Sequence, residues 1–194
     1  LLQCRPQNQF NSDSREIQSM PTELATQDKI LLCTRMVPQG RVSHIEYIVY
    51  VDAQSYYNLN SLEDHVEVAR CIGQLNSALE GHPFILVGPG RWGSSDSMQG
   101  VPVTYADIFN SRALVEVAST KSGFAAEPSY GTHFFQDLVE SQIYPLAVYP
   151  DEPGDHLNLD FITQSENQMS KFISEQTNAS HCIKVIHIPT ERPG

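Results

Sequence analysis

One stretch gathers residue types that could hold a ligand: Phe84-Ile-Leu-Val-Gly88-Pro-Gly90-Arg91-Trp92-Gly93-Ser94-Ser95. A short apolar run, Phe84 to Val87, breaks into a loop with three glycines, an arginine and the chain's only tryptophan. Glycine lets the backbone approach a ligand closely or take positive φ. Arginine carries a planar fork of donors that matches carboxylate or phosphate. The N–H groups of Gly88, Gly90 and Gly93, together with Arg91, can therefore cradle an anion. Ser94 and Ser95 add hydroxyls, and Trp92 can stack on a ring or a sugar. No lysine follows the glycines, so the loop is not a P-loop. The alternative is a structural turn in which Trp92 plugs the core and Arg91 pairs with an acid.

A second group follows at Ser129-Tyr-Gly131-Thr132-His133, at the start of an expected helix. Free N–H groups and the positive end of the helix dipole converge at such a place. His133 is the candidate catalytic residue, because an imidazole can act as general acid or base near neutrality; the alternative is a capping or hydrogen-bonded structural histidine. Glu116 falls in a strand that otherwise reads as apolar, so a buried partner is expected. Arg91 or Arg112 in a structural ion pair is the simplest choice. Asp96, Asp107, Glu116 and His133 lack the spacing of a ligand set, so no metal site is assigned. His181 and His187 sit on an expected last strand without an evident partner.

The elements that must position these residues follow from periodicity. Ile30 to Met36 and Val42 to Val51 read as strands, paired as a hairpin across Pro38-Gln39-Gly40. A helix starts at Ser61, with Asp64 completing a cap, and runs to Gly81 with Leu62, Val66, Ala69, Ile72, Leu75 and Leu79 as its apolar face. Further strands are expected at 84–87, 113–117, 144–149 and 182–188. A helix is expected at 132–141. Leu157, Leu159 and Phe161 alternate as in a strand over 156–163, and a short helix follows over 165–173. Strands interleaved with helices predict an α/β fold, with α+β as the variant: a mixed β-sheet with flanking helices. Residues 1–5 have strand character, 6–28 form a polar linker, and 29–194 make a single domain.

Composition narrows the function classes. The chain has 194 residues, enough for one domain with a real core, and a net charge of −11. Such a field repels phosphate backbones and anionic membranes, so neither nucleic acid nor membrane is an expected partner. No apolar run is long enough for a membrane span. The N-terminus lacks the features of a signal peptide. The four cysteines, Cys4, Cys33, Cys71 and Cys182, are widely spaced, which fits reduced thiols in a cytoplasmic protein. The sequon at Asn178 carries little weight without a secretion signal. Homo-oligomerisation stays open.

Two stretches resemble a known family. Leu1-Leu-Gln3-Cys-Arg5-Pro6 is similar to the closing strand of the ATP-grasp domain in phosphoenolpyruvate synthase and pyruvate phosphate dikinase. Gly88-Pro-Gly-Arg-Trp-Gly-Ser-Ser95, Gly100-Val-Pro-Val103 and Ser129-x-Gly-Thr-His-Phe-Phe-Gln136 resemble the C-terminal region of bacterial PEP-synthase-like, PEP/pyruvate-binding proteins, over roughly residues 30–150. The resemblance implies a C-terminal module of an ATP-dependent phosphotransferase, with the upstream ATP-grasp domain as its partner in the same chain. It places Gln3 and Arg5 near the nucleotide phosphates of the full-length parent, which would bind ATP and Mg2+. The fragment alone is expected to bind neither and to be inactive. Its ligand would be anionic or sugar-like. The alternative is a non-catalytic regulatory or protein-interaction module with the Trp92 loop as its docking surface. Gly40-Arg-Val-Ser-His44-Ile-Glu46 only echoes the phosphocarrier motif of the true enzymes, lacking its paired glycines and small residues. His44 is therefore read as a strand histidine beside Glu46.

Overall fold

The computed structural model describes residues 29–33, 42, 44–119, 128–174, 177 and 179–188. In chain order these form β1 (Leu31–Leu32), β2 (Tyr47–Val51), α1 (Ala53–Tyr57), α2 (Leu62–Ala78), β3 (Phe84–Pro89), β4 (Ala113–Val117), α3 (His133–Glu140), β5 (Tyr144–Val148), β6 (His156–Leu157), α4 (Leu159–Gln164) and β7 (Ile183–His187). The terminal strand remnant at 1–5, the linker at 6–28, Gln3, Arg5, Cys4 and Asn178 lie outside the described residues.

The fold is α/β. Its main sheet is mixed, in the order β5-β4-β3-β2-β7, and a two-stranded ribbon pairs β1 with β6. Strands β2 to β5 are parallel and laid down in chain order, while β7 runs antiparallel on the outer edge of β2. Alternation along each strand divides the core in two. Val49, Val51, Leu86, Leu114 and Val185 face α1, α2 and α3 in the larger cluster. Ile48, Tyr50, Val87, Val115, Val148 and Ile186 face the other way, where Leu157 and Ile162 cover them. Both faces are buried, so the parallel strands read as continuous apolar runs.

Helix α2 shows how local chemistry sets an element's start and side. The Ser61 hydroxyl accepts from the Asp64 N–H at 3.1 Å, and Glu63 and Asp64 sit in the first turn, where the dipole favours anions. Removing this cap in Ser61→Ala should lower stability by about 1 kcal/mol, read as a shifted denaturant midpoint with an unchanged slope. Four residues of the expected face, Ala69, Ile72, Leu75 and Leu79, are buried, and the departure is at the helix's N-terminal end. Leu62 and Val66 are 64% and 46% exposed, whereas His65, Val68, Cys71 and Ile72 are enclosed. His65 turns inward because its Nδ1 bonds the Ser61 carbonyl at 2.8 Å and its ring stacks edge-on against Tyr56.

Four further expectations are corrected. Among the described residues the hairpin expected over 30–51 is not seen: Leu31 pairs with Leu157, and β2 takes β3 and β7 as neighbours. His44 is not a strand residue, since it has φ 59° and strand β2 begins at Tyr47; Glu46 instead pairs with His82 at 2.8 Å. The alternation over 156–163 is mostly helical. Only two residues extend, and then Asn158 caps α4 by accepting from the Phe161 N–H at 3.0 Å. The Lys184 ammonium closes that helix by donating to the Ile162 and Thr163 carbonyls. The helix expected over 165–173 is a single 3-10 turn at Met169–Lys171.

Candidate functional site

Strands β3 and β4 lie side by side, and each runs into a loop at the same carboxyl edge of the sheet. Gly88 faces Glu116 and Pro89 faces Val117 in the ladder, and the Gly90 N–H extends it by donating to the Val117 carbonyl at 3.0 Å. The chain then folds back on itself. Arg91 N–H donates to Gln99, Gly93 N–H to Val101, and Gly90 bridges Gly100 in antiparallel fashion. The Tyr56 hydroxyl lies 2.9 Å from the Ser97 carbonyl and 2.8 Å from that of Gly100, so one phenol ties down the returning arm. Burial pushes the pKa of this phenol up and keeps it a donor.

The glycines are there for close packing. Any Cβ on Gly88 would lie 2.6 Å from Trp92 Cζ2 and 3.0 Å from Val51 Cβ, so the indole rests directly on the strand. Trp92 is fully enclosed, and it plugs the core rather than offering a face to a ring or sugar. Gly93 receives the Phe134 ring of α3. The N–H groups of Gly90, Arg91, Trp92 and Gly93 are all engaged within the fold. What this loop presents outward is therefore side chains, chiefly Arg91 and Ser94, which are half-buried, and Ser95, which is exposed. The Ser94 hydroxyl accepts from the Asp96 N–H at 3.1 Å, which fixes the loop's tip.

Glu116 joins the two groups of residues singled out in the sequence. Its Oε1 accepts from the Trp92 N–H at 2.9 Å and its Oε2 from the Ser129 N–H at 2.8 Å. The expected partner was an arginine side chain. The observed partners are two backbone N–H groups from two loops, with the Ser129 hydroxyl and the Arg91 charge also favouring the ionised form. Glu116 is 4% exposed. Burial raises its pKa to about 7, opposed by the Ser129 and Trp92 N–H groups, by the nearby Ser129 hydroxyl and by the Arg91 guanidinium.

On the second loop, Ser129 is buried, and its carbonyl accepts from the Thr132 hydroxyl at 2.7 Å. Thr132 caps α3 by accepting from the Phe135 N–H at 3.2 Å. Gly131 and His133 are exposed at the turn and at the first helical residue. The structure thus brings the Arg91 loop and the start of α3 together through Glu116 and through Gly93 on Phe134. Arg91, Ser94, Ser95, Gly131, Thr132 and His133 remain reachable from solvent; Gly88, Gly90, Trp92 and Ser129 form the support beneath them. Glu116 and Tyr56 are the supporting residues whose roles composition alone does not reveal.

No group of three or more His, Cys, Asp or Glu among the described residues is arranged to hold a metal ion. Cys71 and Cys182 are buried free thiols, and the Cys33 thiol donates to the Ala147 carbonyl at 2.8 Å. No helix among the described residues is long and apolar enough to cross a membrane. In comparisons with family models, with curated proteins and with solved structures, nothing matches this chain.

Proposed function

We propose that the carboxyl edge of β3 and β4 binds a small anionic or sugar-like ligand, in a cytoplasmic C-terminal module of a PEP-synthase/pyruvate phosphate dikinase-like phosphotransferase. The observation that carries this reading is the juxtaposition, through Glu116, of the Arg91 loop and the first turn of α3. Arg91 supplies the positive charge in an acidic chain, Ser94, Ser95 and Thr132 supply hydroxyls, and His133 is placed to move a proton. ATP and Mg2+ belong to the upstream ATP-grasp domain in this proposal, with Gln3 and Arg5 as its contribution from this chain.

A thermal-shift screen with inorganic phosphate, nucleotides and keto acids tests the reading. At least one anion should raise the melting temperature, and Arg91→Ala should remove that shift while leaving the far-UV circular dichroism unchanged. Shifts that survive Arg91→Ala, or no shift with any anion, count against it. The second reading, a regulatory or protein-interaction module, now rests elsewhere than on Trp92, which is enclosed. The exposed rings of Tyr105 and Phe109, 6.4 Å apart, favour it.

A further inference from the structure

We propose that Glu116 works as a proton-operated latch between the two loops at the carboxyl edge of the sheet. The reasoning starts from the geometry of a carboxyl group. An ionised carboxylate is an acceptor on both oxygens. Here each oxygen takes one backbone N–H, Oε1 from Trp92 and Oε2 from Ser129, so a single side chain spans the gap between loops that are 37 residues apart in sequence (129 minus 92). A proton takes up one lone pair of the oxygen it binds and makes that oxygen a poor acceptor, so the N–H that faces it is held less tightly. The carboxyl can then hold only one of the two N–H groups in full, and as a neutral acceptor it holds it more weakly.

The surroundings decide which side lets go. The Ser129 hydroxyl is buried, finds no partner other than the same carboxyl and, by bonding to it, favours the ionised form; when the carboxyl takes a proton the hydroxyl can turn from donor to acceptor. It is the available acceptor for the carboxyl proton. Protonation therefore exchanges the Ser129 N–H contact for one to the hydroxyl, while the Trp92 N–H stays on Oε1. The Ser129 segment leads directly into Gly131, Thr132 and the first turn of α3, so releasing its backbone loosens the second wall of the edge. The first wall stays anchored by Trp92 in the core and by Tyr56 on the returning arm.

The charged and titratable neighbours fit this behaviour. From the loop after β3, Arg91 bears on the carboxylate and favours its ionised form. The ladder neighbours from β3 and β5 are Gly88 and Ala147, which bring no charge. From the α3 side the contacts are those of Ser129. Asp96, His133 and Asp137 occupy exposed positions on the flanking loop and helix. Burial lifts the group's pKa to about 7, so both states of the latch are populated near neutral pH. Use of the latch to control ligand binding rests on reading this edge as an anion site. The latch itself needs no ligand.

Amide hydrogen exchange on the isotope-labelled full chain, corrected for the intrinsic pH dependence of exchange, tests it without any ligand. Protection of the Ser129 N–H should be about tenfold higher at about pH 8.5 than at about pH 5.5. Glu116→Gln, which fixes one acceptor and one donor, should show the low protection at both. Arg91→Met provides a check that does not depend on that variant folding: removing the guanidinium should move the wild-type transition to higher pH. Equal Ser129 protection at the two pH values overturns the latch. So does a wild-type pH dependence surviving in Glu116→Gln, or a midpoint that Arg91→Met leaves in place or lowers. An intact transition in a chain that binds no anion upholds the latch while removing the ligand reading.

Discussion

Replacing Gly90 with alanine should destabilise the protein by about 3 to 5 kcal/mol, a large part of a typical domain's stability. Two independent costs add at this position. Its φ is +65°, where a side chain is strained, and that strain alone is worth about 1 to 2 kcal/mol. A Cβ there would also fall onto the Gln99 carbonyl oxygen and within 2.7 Å of the Tyr57 hydroxyl. The Gln99 oxygen cannot step aside, because it accepts the Arg91 N–H at 2.7 Å. Nor can the arm that carries it, since Gly100 is clamped by Tyr56 and its own Cβ position is filled by the Arg91 backbone. Relief must come from opening the two arms, which releases Arg91 and Trp92 together. Urea denaturation measures the loss. A Gly90→Ala chain within about 1 kcal/mol of wild type would show that the arms separate easily and that the loop is not the rigid platform described above.

How much of this was legible in the sequence depends on the range of the interaction involved. The start of α2 was legible because Ser61 and Asp64 are three residues apart and settle their bonds locally. The strand at 84–87 was legible as an apolar run ending at glycine, and it runs two residues further, to Pro89. The two loops stand out separately in the sequence, and the contact of Gly93 with Phe134 and the bridge through Glu116 bring them to one edge. What failed was decided by tertiary partners. Ile30 to Cys33 has no local signal that its mate is at 156–157 rather than 42–51. The alternation of Leu157, Leu159 and Phe161 suits a strand, yet a capping Asn158 and a lysine from β7 favour a helix there. Glu116 stood out as a carboxylate among apolar residues, but composition points to charged side chains as partners. Two N–H groups from loops distant in sequence leave no trace in residue type.

The same two N–H groups make Glu116 a test of whether this edge is built for stability. Its pKa in the folded chain, about 7, lies above the ordinary value of 4.5. The sign follows directly. The native state holds the proton more tightly than the unfolded state, so this group's stabilisation is complete below the ordinary value and is lost as pH rises through about 7. The swing is about 3 kcal/mol, from 1.36 kcal/mol per pKa unit. Glu116→Gln carries no such proton. Its urea stability should therefore match wild type near about pH 4.5 and exceed it by about 3 kcal/mol near about pH 8. A gap that stays constant with pH, or one that widens in favour of wild type as pH rises, would show that the two N–H groups outweigh burial and that Glu116 is simply a well-satisfied structural acid. The expected outcome has a different meaning. A glutamine of nearly the same shape would then make a more stable protein at neutral pH, while removing the ionised form that grips both loops. An ionisable group retained at a net cost, at the junction of the two loops that carry Arg91 and His133, is what the proposed site calls for and a scaffold does not.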